Sequence, residues 1–160
     1  MPKIDRKRRV TVYVDGKFGC ELEKLTKETK MIIGIGTDLV DIRRIEKSLQ
    51  KFAMRFENRI FTIAEQNYAQ STKNIASSYA KRFAAKEAMV KALGTGVNHS
   101  VYLRDIEVIK NENGTPSLRL TGGALLRLQQ LTPANTIPQI FLSLSDEYPY
   151  AQAQVIIDAN

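Results

Sequence analysis

The chain has 160 residues, 43% of them hydrophobic, with 24 Lys and Arg against 17 Asp and Glu for a formal net charge of +7. That length suits one domain, or one with an appendage; no apolar run reaches the ~20 residues of a membrane span, and the basic start lacks the apolar segment of a secretory signal. One cysteine (Cys20) and one histidine (His99) exclude an intrachain disulfide, a structural zinc site and a Cys–His–Asn triad within one chain, so a reducing, cytoplasmic setting fits and any metal should be hard and oxygen-ligated, Mg²⁺ before zinc.

Residues 1–30 hold 9 Lys and Arg and 5 Asp and Glu, more than half of the chain's positive excess. Arg9–Val14 alternates as a strand, Asp15-Gly16 makes a hairpin turn, and Lys17–Leu22 can return. Such a hairpin alone is marginal in water. A polar tract, Glu23–Lys30, follows it, and Met31 could itself be a start codon. Residues 1–30 therefore read either as a vector-derived or mis-called leader or as a native appendage, and residues 31–160 as the domain proper.

Residues 31–38 read as a buried strand that ends in a carboxylate. Ile33, Ile35 and Thr37 face one side; Ile32, Gly34, Gly36 and Asp38 face the other. The two glycines leave room beside Asp38 for a ligand or another backbone. A dinucleotide fingerprint is excluded because Leu39 stands where a third Gly or Ala is required. Asp38 also suits a helix cap, with Leu39 onward helical. Residues 39–56 predict one amphipathic helix, apolar through Ile42, Ile45, Leu49, Phe52 and Phe56, with Arg44, Lys47, Lys51 and Arg55 as a cationic stripe that could equally be a solvated face. Thr62-Ile63-Ala64-Glu65 has the form of a capping box opening a short helix through Tyr68.

The stretch from Ser77 to Gly94 is Ala-rich and lacks Pro, so it predicts a helix capped by Ser77 or Ser78 and closed by Gly94. On its wheel Ala80, Phe83, Ala84 and Val90 share an apolar face, Glu87 lies in the middle of that face, and Lys91 is one turn on. Glu87 and Lys91 could form an ordinary surface pair, but a carboxylate aimed inward needs compensation. Asp105–Lys110 and Ser117–Thr121 form a hairpin around Asn111–Gly114, Ala124–Leu131 a helix, and Gln139–Ser145 and Ala151–Asp158 a pair of strands. Late strands paired as hairpins give an α+β fold with a largely antiparallel sheet packed with helices.

Asp38 and Glu87 thus project inward from separate elements, with Lys91 a turn beyond Glu87. Two carboxylates plus substrate phosphate oxygens are how Mg²⁺ is usually held, and a neighbouring lysine suits the charge that builds in phosphoryl transfer. A basic nucleic-acid-binding module would also explain the charge. It would leave the inward carboxylates unexplained, and the chain has no RNP-like aromatic motif and no Trp for a stacking platform.

Gly34-Ile35-Gly36-Thr37-Asp38-Leu39-Val40, Arg44-Ile45, Arg82-Phe83-Ala84-Ala85-Lys86-Glu87-Ala88 and Lys91-Ala92-Leu93-Gly94-Thr95-Gly96 together resemble the holo-[acyl-carrier-protein] synthase family, the small bacterial type of 4′-phosphopantetheinyl transferase. Leu142–Ser145 and Ala151–Ile157 extend the resemblance over essentially residues 31–160. It implies that the chain transfers the 4′-phosphopantetheine of coenzyme A to a serine of apo-acyl carrier protein, for fatty acid biosynthesis, and leaves adenosine 3′,5′-bisphosphate. It further implies that Asp38 and Glu87 bind Mg²⁺, that Lys91 contacts the phosphates and stabilises the leaving charge, and that Lys86, Gly94 and Gly96 join Lys91 at coenzyme A. Arg44 and Arg55 are implied as carrier-protein contacts, and Lys47 and Lys51 join them from the wheel alone. A metal-bound water or Glu87 is left to accept the serine proton. Members of the family form trimers with each site shared between neighbours, which makes a homotrimer the expected assembly, with neither nucleic acid nor membrane as partner. Many members carry His where this chain has Asp146, which leaves the role of Asp146 open.

Overall fold

The computed structural model describes residues 31–95 and 101–160, together with the backbone of two short strands before them. Two compact units divide the chain, residues 1–30 and residues 31–160. In the first, β1 (Arg9–Thr11) pairs antiparallel with β2 (Glu21–Glu23), Val10 opposite Leu22. The Asp15-Gly16 turn expected between them lies outside the described residues.

The second unit opens with β3 (Met31–Asp41), followed by α1 (Ile42–Phe52), α2 (Met54–Ile60), α3 (Ile63–Gln70) and α4 (Ile75–Ala92). The hairpin β4 (Ile106–Lys110) and β5 (Pro116–Leu120) comes next, then α5 (Gly122–Leu131), β6 (Pro138–Glu147) and β7 (Tyr150–Ala159). β3, β7 and β6 make an antiparallel sheet in that order, and α4 packs across one face of it. This is an α+β fold with antiparallel sheets, as the late strand pairs predict.

α4 begins earlier than the sequence predicts. Asn74, rather than Ser77 or Ser78, caps it by accepting from the Ser77 backbone N–H at 3.0 Å. Gly94 follows the helix end with φ +67°, the left-handed conformation that lets the chain turn away. Ala80, Ala84, Ala85 and Ala88 are fully buried, so α4 is enclosed on nearly every side. Its small side chains bring it close to the sheet. The two glycines of β3 complete that approach: a Cβ on Gly36 would collide with the Ala88 carbonyl oxygen, and one on Gly34 with that of Ala92. The room the glycines leave is taken by another backbone.

β3 differs from its expected form in two ways. A bulge between Ile32 and Gly34 removes Ile32 from the inner face, where it is exposed, while Gly36, Asp38 and Val40 keep the alternation and face α4. The strand also continues to Asp41, because β7 pairs with it as far as Tyr150. Asp38 is therefore inside a strand and does not cap a helix. Asp41 does, accepting from the Arg43 N–H at 3.0 Å and gripped by the Arg43 guanidinium at 2.6 Å. The single helix expected over residues 39–56 is broken at Ala53, whose φ of 42° is disfavoured for a residue with a side chain.

Candidate active site

Asp38 on β3 and Glu87 on α4 line one cleft of about 410 Å³, bounded by Arg44, Ile45 and Ser48 of α1, by Phe56 of α2 and by Phe83. Their meeting follows from two periodicities. Asp38 shares the inner strand face with Gly36, and Glu87 follows Phe83 by one helical turn on the flank of α4 that looks toward α1. Lys91, a further turn along, does not pair with Glu87. Its ammonium donates at 2.8 Å to Asp38 Oδ1 and at 2.8 Å to the Thr37 carbonyl. Burial pushes the Glu87 carboxyl above the usual carboxylate range, the Asp38 charge adds to it, and Lys91 opposes both. Arg44 also lines the cleft, but among the described residues Lys91 is the only cation at ion-pair distance from either carboxylate, which leaves Glu87 without one.

That imbalance bears on Mg²⁺. Two half-buried carboxylates, one of them already holding a cation and the other short of one, suit a hard divalent ion. Among the described residues no cluster of three acidic, His or Cys side chains forms. Two protein oxygens with the remaining positions given to water and substrate phosphates is the habit of Mg²⁺. The residues present fit the ion.

Lys86, expected to contact coenzyme A, is not available to it. It faces away from the cleft and is completely buried. Its ammonium donates to Glu65 Oε2 at 2.8 Å, to the Leu103 carbonyl at 3.1 Å and to the Ile106 carbonyl. Those three bonds use all the hydrogens an ammonium has. Glu65 is fixed in turn: its Oε2 accepts from Thr62 N in the expected capping box and its Oε1 from Val108 N. The pair ties α3 and β4 to α4. Burial lowers the proton affinity of Lys86, and the Glu65 charge offsets part of that.

The cationic stripe is only partly formed. Arg44 lines the carboxylate cleft, Lys47 and Lys51 lie exposed on α1, and Arg55 belongs to α2 beyond the break at Ala53. Gly94 is exposed just past the end of α4, near the Arg127 guanidinium; Gly96 lies outside the described residues.

The carboxylates do not occupy the larger cavity. A second one, about 570 Å³, opens between α3, the first half of α4, the β4–β5 hairpin and the end of β6. Arg82, Lys81, Lys110, Arg119, Tyr68 and Asp146 line it. Arg82 is 6% exposed, and its charge is met by no carboxylate at ion-pair distance among the described residues. It donates to Ser78 O and Oγ at 3.0 and 2.9 Å and stacks 4.1 Å from the Tyr68 ring, while its Nε–H has no partner among the described residues. A buried guanidinium with an unused donor beside a cavity calls for an anion or another acceptor. The sequence offered one hint, an arginine inside an otherwise small and apolar helix, but the cavity walls come from four separate elements.

Residues 34–153 match the family model of the 4′-phosphopantetheinyl transferase superfamily. A holo-[acyl-carrier-protein] synthase of Brucella ovis is 53% identical over 129 residues, 81% of this chain and 96% of that protein. Among solved structures, the Neisseria meningitidis holo-[acyl-carrier-protein] synthase superposes with a TM-score of 0.68 at 36% identity, over 79% of this chain and 98% of that one. The Bacillus anthracis enzyme, solved in complex with CoA (3′,5′-ADP), gives 0.64 at 36% identity, over 81% of this chain and 99% of that one.

Proposed function

The chain belongs to the 4′-phosphopantetheinyl transferase superfamily, and we propose that its chemistry is carried by Asp38, Glu87 and Lys91. It moves the 4′-phosphopantetheine arm of coenzyme A to a serine of apo-acyl carrier protein. The serine oxygen bonds to the phosphorus that carries the arm, the pyrophosphate bridge breaks, and adenosine 3′,5′-bisphosphate leaves. The observation that carries the assignment of residues is the convergence of Asp38 and Glu87 in one cleft with the Lys91 ammonium on Asp38.

Asp38 and Glu87 would hold Mg²⁺, which supplies charge neutralisation at the pyrophosphate when bound. Lys91 adds a fixed positive charge at the same place, so negative charge on the departing phosphate is met without reorganisation. Glu87 lies beside the reacting centre and can take the serine proton; its raised proton affinity belongs to the metal-free cleft, and a bound ion would lower it. Arg82, Tyr68 and Lys110 are suited to the nucleotide end of coenzyme A: a stacking ring, a buried guanidinium and an exposed ammonium against its adenine and phosphates. The direct test is mass spectrometry of apo-acyl carrier protein after incubation with coenzyme A and Mg²⁺. The carrier should gain one phosphopantetheine, and Arg82→Lys should weaken coenzyme A binding without removing the carboxylate cleft.

The two cavities bear on assembly. Arg82 and Glu87 are separated by about 140° around α4, so one coenzyme A cannot easily reach both within a single chain. A site shared between chains removes the difficulty, and the outer face of the main sheet supports one. Ile35, Leu39 and Phe141 are 62%, 63% and 51% exposed there, an unusually apolar surface to leave in water. The assembly proposed is a homotrimer joined through this face. Sedimentation should give three chains, and Ile35→Asp with Leu39→Asp should give an inactive monomer; an active monomer would refute the shared site.

Acyl carrier protein is acidic, and α1 beside the cleft is the surface proposed to receive it. Because Arg44 lines the cleft itself, Lys47→Glu with Lys51→Glu isolates docking from chemistry. Each exposed pair contributes only about 0.2–1 kcal/mol. The double reversal adds repulsion, and should raise the KM for carrier protein by about tenfold at low salt, spare the KM for coenzyme A and flatten the salt dependence. An unchanged salt response would make the stripe a solvated face only.

A further inference from the structure

Asp146 stands at the end of β6, at the wall of the larger cavity, where it is held by two side chains of the first half of α4. Its Oδ1 is 2.7 Å from the Lys81 ammonium, and its Oδ2 accepts a hydrogen bond from the Ser77 hydroxyl. Ser77 and Lys81 are one helical turn apart, so the carboxylate grips the first half of α4 at two points. Both contacts hold it below the usual carboxylate range, so it is charged at neutral pH. The other cations of the cavity divide in two groups. Arg119 is paired with Glu107 at 2.9 Å. Arg82 stacks on Tyr68 with an unused N–H, and the Lys110 ammonium lies 4.8 Å from the same ring.

We propose that Asp146 sets the affinity of the nucleotide cavity: paired with Lys81, it withdraws one cation from that cavity, leaving Arg82 and Lys110 to recognise the phosphorylated nucleotide and keeping the product adenosine 3′,5′-bisphosphate weakly held. The inference rests on reading this cavity as the nucleotide site. A carboxylate at the rim repels an incoming phosphate and masks the ammonium that would attract it, and both effects lower affinity for an anion. In a group-transfer enzyme whose product keeps most of the donor's charge, weaker binding of that product speeds release.

The test is calorimetric binding of adenosine 3′,5′-bisphosphate to the full chain and its variants, at low and high salt. Asp146→Asn keeps the side chain's shape and removes its charge; it should bind the bisphosphate about tenfold more tightly at low salt, with the gain shrinking at high salt. Ser77→Ala, which keeps both charges, should bind as the wild type does. A merely structural Asp146 would instead let α4 loosen from β6, and Asp146→Asn would bind less tightly at every salt concentration. Unchanged or weaker binding by Asp146→Asn overturns the inference. Arg82→Gln and the exposed Lys110→Gln examine the cavity itself: if they weaken binding while Asp146→Asn does not strengthen it, the cavity stands and the role of Asp146 falls. If neither weakens binding, the nucleotide is elsewhere and the inference falls with the site.

Discussion

Asp38→Ala and Glu87→Ala should each reduce phosphopantetheine transfer by a factor of about 10³ or more, because each removes one of the two chain oxygens proposed to hold the ion at the pyrophosphate. The loss should not come from unfolding. Neither side chain belongs to the apolar core, and Glu87 is a charge whose burial is unfavourable in the metal-free protein. Its raised proton affinity fixes the sign of a second effect. A carboxyl whose folded value lies above its unfolded value favours the fold most below the unfolded value, and that advantage is lost as pH rises through the folded one. Glu87→Gln should therefore raise the melting temperature of the metal-free protein at neutral pH by about 1–4 °C, and the gain should disappear in acid. Lower activity together with higher stability marks a group retained for chemistry. Near-normal turnover by either Ala variant at limiting Mg²⁺ would sink the assignment of the ion, and a Glu87→Gln protein less stable than wild type would show that the carboxylate is already satisfied.

The other large effect belongs to Gly36. Its hydrogen is all that separates β3 from α4, and a methyl there would meet the Ala88 carbonyl, a backbone atom that cannot rotate away. Gly36→Ala should cost more than about 3 kcal/mol, enough to consume much of the stability of a domain this size. It should also be severe for the site even where the fold survives, since lifting α4 from β3 moves Glu87 and Lys91 away from Asp38. Urea denaturation of Gly36→Ala against Gly114→Ala makes the comparison. Gly114 has a positive φ but open space around it, so its replacement should cost only the conformational strain, about 1 kcal/mol. Equal costs for the two would mean that close packing does not govern Gly36.

Short-range order in the chain accounts for one part of this architecture. The Ala-rich run that becomes α4 has no competing structure to adopt. Its 3.6-residue period sets Glu87 and Lys91 on one flank, and the alternation of β3 turns Asp38 toward the same interior. The Thr62–Glu65 capping box is local in the same sense, and the late hairpin strands were enough to give an antiparallel α+β fold. Contacts between elements distant in the chain set the rest. A wheel separates a buried face from an exposed one only when the helix has an exposed face. α4 has almost none, so no wheel shows that Lys86, implied as a coenzyme A contact by the family resemblance alone, has its charge consumed by Glu65 and two carbonyls. β3 runs on to Asp41 because β7 is there to pair with it, a partner more than a hundred residues away that no local pattern reveals. The break at Ala53, which takes Arg55 off the stripe, occurs in a stretch whose hydrophobic period runs through it unbroken. The cavity around Arg82 is assembled from α3, α4, β4–β5 and β6. Its charge balance, in which Asp146 cancels Lys81 while Arg82 meets no carboxylate among the described residues, exists only once those elements have met.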